Sequence, residues 1–180
     1  MADYYNFKNI IEDFKQIERH HKQINSFGVG DIRQLIFLTQ DRLGKDNIDP
    51  PQDNTPTNTN QAPVYPLMYV VPSLVSRDAG LITYNFSVII CDITNRNNYD
   101  IEVDLWSDTL QMAEDVLAQF KYSVLAAQGD YESKYYINLP TSITPFSEAY
   151  EDLLVGWNLQ LQVVVDSPLN RCIAPFKEWK

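Results

Sequence analysis

Apolar residues and one histidine recur at spacings of three and four near the start of the chain: Phe7, Ile10, Ile11, Phe14, Ile17, His21 and Ile24. Lys8, Glu12, Lys15, Glu18, Arg19 and Lys22 fill the gaps, so the pattern predicts an amphipathic helix. Asp3 is the expected N-cap or first-turn acid. Phe27-Gly28-Val29-Gly30 is the expected stop, because glycine readily leaves helical space. Between Asp31 and Arg42 two readings compete. The run Ile32, Leu35, Ile36, Phe37 and Leu38 suits a buried strand over residues 34–40, which we favour. Asp31 with Gln34 forms a capping box that opens a short helix in the other reading.

Beyond this point the period changes. Tyr65 to Ser76 and Leu81 to Thr94 are rich in β-branched and aromatic residues and flank the turn Arg77-Asp78-Ala79-Gly80, which predicts a β-hairpin. In its second arm Ile82, Tyr84, Phe86, Val88 and Ile90 alternate with Thr83, Asn85 and Ser87. Ser107 to Leu125 returns to helical spacing, with Thr109, Met112, Ala113, Val116, Leu117, Phe120 and Val124 on one face. Lys134 to Leu139 reads as a short strand, and Pro140 and Pro145 punctuate a connection. The sharpest alternation follows: Trp157, Leu159, Leu161, Val163 and Val165 point one way, Asn158, Gln160 and Gln162 the other. The expected fold is α+β, two helices packed on a largely antiparallel β-sheet within a single domain spanning 1–180.

Two segments depart from that pattern. Residues 44–63 hold four of the ten prolines, repeated Asn, Asp and Thr, and only Ile48 and Ala62 as apolar residues. Such a stretch buries too little to offset its chain entropy and reads as a long mobile loop inserted in the domain. Residues 166–180 have some apolar content without a period and read as a C-terminal arm.

Composition narrows the function classes. A hydrophobic fraction of 44% and a charged fraction of 21% fit an ordinary globular domain. The net charge of -10 argues against gripping nucleic acid or an anionic membrane, both of which are negative themselves. The first residues show no charged segment followed by an apolar one, so no secretory signal is expected, and no apolar run approaches a membrane span. Cys91 and Cys172 are expected to be two reduced thiols. Aromatic residues make up 12%, and Tyr pairs such as Tyr4-Tyr5 and Tyr135-Tyr136 cannot both turn inward on one element. Some aromatic surface is therefore expected to face a partner.

Catalytic chemistry is thinly represented. His20 and His21 are the two histidines, and neighbouring helical positions diverge by about 100°, so they cannot converge on one metal. Gly28-Val29-Gly30 follows a helix and lacks the further glycine and lysine of a phosphate loop. Asp100, Glu102 and Asp104 would share a face if that run were extended, either to hold a divalent cation or, as we favour, to form a solvated strand edge or an interface that meets basic residues of another subunit. The reading is thus of a non-enzyme, with no catalytic residue, cofactor or metal site expected.

The order of elements carries a resemblance. An amphipathic first helix, Gly28-Val29-Gly30-Asp31-Ile32, the strand entry YPLMYVVPS at 65–73, the strand YNFSVIICD at 84–92 and the helix SDTLQMAEDVLAQF at 107–120 together resemble neck and tail-completion proteins of tailed bacteriophages. More narrowly, they resemble the ring or tail-stabilisation proteins of crAss-like phages. The likeness spans roughly residues 4–165 and is one of pattern and order. It implies a tail-terminator-like fold and a structural virion protein, assembled in the host cytoplasm, that forms a homo-oligomeric ring at the head–tail connector. Twelve copies are favoured, six being the other count. Such a ring docks the tail and contacts neighbouring portal, neck or tail proteins, with DNA passing through an acidic or neutral lumen without specific binding. Tyr4, Tyr5, Arg33, Arg42, Arg77, Arg96, Asp100, Glu102 and Asp104 are the expected subunit-interface residues. A soluble adaptor module that binds another protein is the alternative reading.

Overall fold

The computed structural model describes residues 5–35, 64–78, 80–94, 99–127, 135–149 and 153–167. Its first helix, α1 (Phe7–His20), opens on a reciprocal cap: Asn6 Oδ1 accepts from the Lys8 and Asn9 backbone N–H groups, and the Asn9 side chain accepts from Asn6 N. These bonds satisfy N–H groups that a helix start otherwise leaves orphaned. The N-cap is thus three residues after the expected Asp3, which lies outside the described residues. The helix ends before the periodic Ile24, because His21 turns extended and its ring Nδ1 accepts from Gln23 and Ile24 N–H, both at 3.2 Å. The ring's other nitrogen, Nε2, lies 3.3 Å from the Asp115 carboxylate.

The glycine stretch expected only to stop the helix is a strand, β1 (Ser26–Val29), parallel to β2 (Leu67–Arg77). Gly28 is what permits this pairing to sit close, since a Cβ there would come within 2.5 Å of the Tyr69 ring. The favoured strand over 34–40 is corrected at its start: residues 32–35 form a helical segment, α2, and 36–40 lie outside the described residues. The capping box wins. Asp31 Oδ1 accepts from Arg33 N at 2.8 Å, and Gln34 Oε1 accepts from Asp31 N at 3.1 Å.

The predicted hairpin forms between β2 and β3 (Leu81–Thr94), antiparallel as expected. Gly80 occupies its turn at φ +133, a conformation that residues with a side chain rarely adopt. The predicted second helix, α3 (Tyr99–Ala127), begins eight residues earlier than its helical spacing marks. β4 (Tyr136–Ile137) and β5 (Ser142–Ala149) lie end to end along one edge of β6 (Leu153–Asp166), and β6 pairs β3 over the full length of both strands. The described strands make one sheet of order β1-β2-β3-β6-β4, with β5 also on β6. All pairings except β1 with β2 are antiparallel, so the α+β fold with helices on a largely antiparallel sheet is present. The connection read between Pro140 and Pro145 contains β5, where Pro145 sits on an outer strand, the one place in a sheet that tolerates it.

The main core lies between the sheet and the helices α1 and α3. Ile10, Ile11 and Phe14 from α1 and Met112, Ala113, Val116 and Phe120 from α3 meet Met68, Val70, Phe86, Val88, Ile90, Leu159, Leu161, Val163 and Val165 of the strands. Phe14 is its hub, 4.6 Å from the Phe120 ring and 5.6 Å from that of Phe86. A smaller core lies on the opposite face of the sheet. There Leu35 of α2 closes over Leu67, Tyr69, Ile89, Cys91 and Leu154. Among the described residues the sheet is thus covered on one face except along β2 beyond Val71, and on the other at one end.

Candidate assembly surfaces

The acidic run at 100–104 is helical, not extended, and this changes its geometry. At about 100° per residue Glu102 and Asp104 point nearly opposite ways from α3, so the run does not bring its carboxylates together on one face. Among the described residues no three His, Cys, Asp or Glu side chains gather as metal ligands. His20 and His21 go separate ways, His20 Nδ1 to the Gln16 carbonyl and His21 to Asp115.

The other expected interface residues are scattered. Tyr5 is turned inward, its ring stacked 5.0 Å from Tyr135 and its hydroxyl donating to the Asp13 carboxylate. Burial and that carboxylate push the phenol upward from its ordinary pKa. Of the pair Tyr135-Tyr136, the first is buried and the second 42% exposed. Arg33 is exposed on α2. Arg77 is exposed at the hairpin tip, where its Nη2 donates to the Ser167 carbonyl at 2.7 Å. Glu102 is half-buried and Asp104 exposed on α3. Tyr4, Arg42 and Arg96, the loop 44–63 and the arm beyond Ser167 lie outside the described residues, as does the side chain of Asp100.

Two titrating groups are shaped by burial. The Cys91 thiol, fully enclosed in the smaller core, is pushed well above its usual range, first by desolvation and then by Asp92. The Asp92 carboxyl is raised by desolvation, with the charge of Asp108 adding to it and the Ile93 N–H, 2.7 Å from Oδ1, opposing it.

What the tertiary structure does assemble is a broad polar surface. On the sheet face away from α1 and α3, beyond the patch under Leu35, register places Thr83, Asn85 and Ser87 of β3 beside Val164, Gln162 and Gln160 of β6, with Asn158 next along. Ser142 and Thr144 of β5 continue the same rows. None of these side chains is charged, in a chain of net charge -10. They bind one another: Ser87 Oγ donates to Asn158 Oδ1 at 2.6 Å, and Gln160 Nε2 donates to Ser87 Oγ at 3.0 Å and Asn158 Oδ1 at 3.1 Å. Asn138 Nδ2 donates to Gln162 Oε1 at 3.1 Å. The alternation of β6 made half of this surface readable from sequence. Its width depends on which strands flank β6.

The sheet also has an open side at each end. β1 covers β2 only over Leu67–Val70, and no described strand pairs with the outer side of Val71–Arg77. No described strand pairs with the outer side of β5 either. Exposed edges offer unpaired N–H and C=O groups to another strand. The β2 edge is bent by a register shift between Pro72 and Val75, where Ser73 Oγ donates to the Asn85 carbonyl and Asn85 Nδ2 to the Leu74 carbonyl. Leu74 and Val75 stand 69% and 52% exposed there, and Val75 pairs with Tyr84, whose ring lies 6.1 Å from that of the exposed Phe7. Leu74 and Val75 fall within the expected first arm of the hairpin, and the sequence pattern does not show that β1 stops short of them.

No described helix is long and apolar enough to cross a membrane. No protein-family model matches the chain, and no curated protein matches it.

Proposed function

We propose that this chain is a structural subunit that assembles with copies of itself into a closed ring, at the head–tail connector of a tailed phage. The observation that carries this reading is that no described strand pairs with the outer side of β2 beyond Val70 or of β5. A ring needs two different, mutually complementary surfaces on each copy, because a head-to-tail contact closes by rotation. Two unlike sheet edges meet that requirement, and the exposed Leu74 and Val75 give one of them an apolar contact to bury. The virion setting rests on the resemblance in the order of elements described above.

The uncharged face of Ser, Thr, Asn and Gln is assigned to the lumen. A phosphate backbone is held chiefly by lysine and arginine, so a wall of amides and hydroxyls lets DNA slide without gripping it. Neighbouring portal, neck or tail proteins are the further partners, and twelve copies the favoured count.

Sedimentation analysis of the purified chain across a range of concentrations, with electron microscopy of the assembled fraction, tests this. Closed rings of uniform copy number are expected, and Leu74→Asp should reduce their formation. A chain that stays monomeric at high concentration, alone and with its portal, overturns the reading and favours a protein-binding adaptor.

A further inference from the structure

The last described residue of β6 to be hydrogen-bonded is Ser167, pinned at the hairpin tip by its own N–H to the Gly80 carbonyl at 2.7 Å and by Arg77 to its carbonyl. β6 runs in the same direction as β2, both being antiparallel to β3, so β6 ends at the hairpin tip, where segment 168–180 is attached through Ser167. That segment differs in charge from the rest of the chain. Arg171, Lys177 and Lys180 oppose only Glu178, a formal +2, which leaves -12 on residues 1–167. It also carries Ile173, Phe176 and Trp179.

A surface of matching character lies at the other end of the sheet. α3 carries six carboxylates and no cation before Lys121. Ile101 stands 45% exposed on the same side of the helix as the exposed Asp104 and Asp108, three and seven residues further on. This part of α3 is held near Trp157, whose indole N–H donates to the Trp106 carbonyl at 2.7 Å. From Trp157 to Ser167 is ten residues of strand, about 33 Å. Thirteen residues span at most about 45 Å when fully extended. To reach its own α3 the segment would have to reverse at the tip and run back nearly straight. A neighbouring copy placed beyond the tip needs no such reversal.

We propose that segment 168–180 of one copy docks on the exposed, acidic first half of α3 of a second copy, with Arg171 and Lys177 facing Asp104 and Asp108 and its apolar residues covering Ile101. The inference rests on the assembly reading and adds to it the contact that links successive copies. Because the pairing is between exposed charges, it weakens as salt rises.

The test uses the full chain. Equal amounts of unlabelled and 15N-labelled protein are mixed, treated with a carbodiimide, which joins a lysine amine to a carboxylate with loss of water, and digested for mass spectrometry. Expected are peptides linking Lys177 or Lys180 to Asp104 or Asp108 with one label from each copy. Links within a single label only, or none between these segments, overturn the inference. In parallel, Arg171→Glu with Lys177→Glu, and Asp104→Lys with Asp108→Lys, should each weaken self-association about tenfold, and the four together should restore it. All four positions are charged in the native chain, and far-UV circular dichroism checks that each variant is folded. If the native chain assembles but is indifferent to both reversals, the docking falls and the ring reading stands. If the native chain does not assemble, both fall.

Discussion

Gly156 is the fourth residue of β6, opposite Cys91 of β3 on one side and Phe146 of β5 on the other. A methyl group placed there would lie 2.0 Å from the Ile90 carbonyl oxygen, 2.7 Å from Cys91 Cα and 2.8 Å from Ile90 C. All three are backbone atoms of the neighbouring strand, so no side-chain rotation relieves the contact. A carbon and an oxygen need a separation of more than about 3 Å, and Gly156→Ala therefore has to move β6 against β3 by about 1 Å where the sheet is covered on both faces. Overpacking a core costs about 1–3 kcal/mol where side chains can give way. Here the ladder itself has to give, so about 3 kcal/mol or more is expected. For a domain of this size that lowers the melting temperature by about 6–12 °C. Thermal and urea unfolding followed by circular dichroism, with unchanged m-value, measures it. A loss below about 1 kcal/mol would refute the claim that close β3–β6 approach at this position requires glycine.

Phe14→Ala removes the ring joining Phe120 to Phe86 at a fully buried site and should cost about 3–5 kcal/mol, read from urea midpoints; a loss under about 1 kcal/mol would mean the main core does not pivot on it. Asp92→Asn probes the raised carboxyl. The folded pKa lies above the unfolded value, so the native state favours the neutral acid, and that contribution is full below about pH 4 and lost as pH rises through the folded pKa. The variant, which keeps an acceptor for Ile93 N–H, should be more stable than the native protein at pH 7, with the gap closing towards pH 3. An equal gap at both pH values would refute burial as the cause.

Much of the fold was legible because its signals are local. Alternation along Ile82–Ile90 and Trp157–Val165 marks strands whose faces differ in environment, and the structure puts those residues where the alternation points. Alternation is no guide at 100–104, where the acids were expected to share a face only if the run were extended. Ile101, Val103 and Leu105 alternate with acids as a strand does, yet the segment is helical and packs through Trp106 on Trp157, 51 residues away. At 34–40 five apolar residues outweighed Asp31 and Gln34 in the reading, but two side-chain bonds to the backbone start a helix and Leu35 is buried by it.

The sequence alone established that the chain makes helices and a mostly antiparallel sheet, where the hairpin turns, and that one side of β6 is amide-rich, since each of these follows from contacts between near neighbours or from the period of the chain itself. Which strands flank which was decided only in three dimensions. That β1 is parallel to β2 and stops at Val70, and that no described strand pairs with β2 beside Leu74 and Val75, depend on partners about forty residues apart, while β5 joins the sheet through the strand that directly follows it. Edges belong to a sheet and not to a strand, so the surfaces on which assembly is proposed have no signature along the chain.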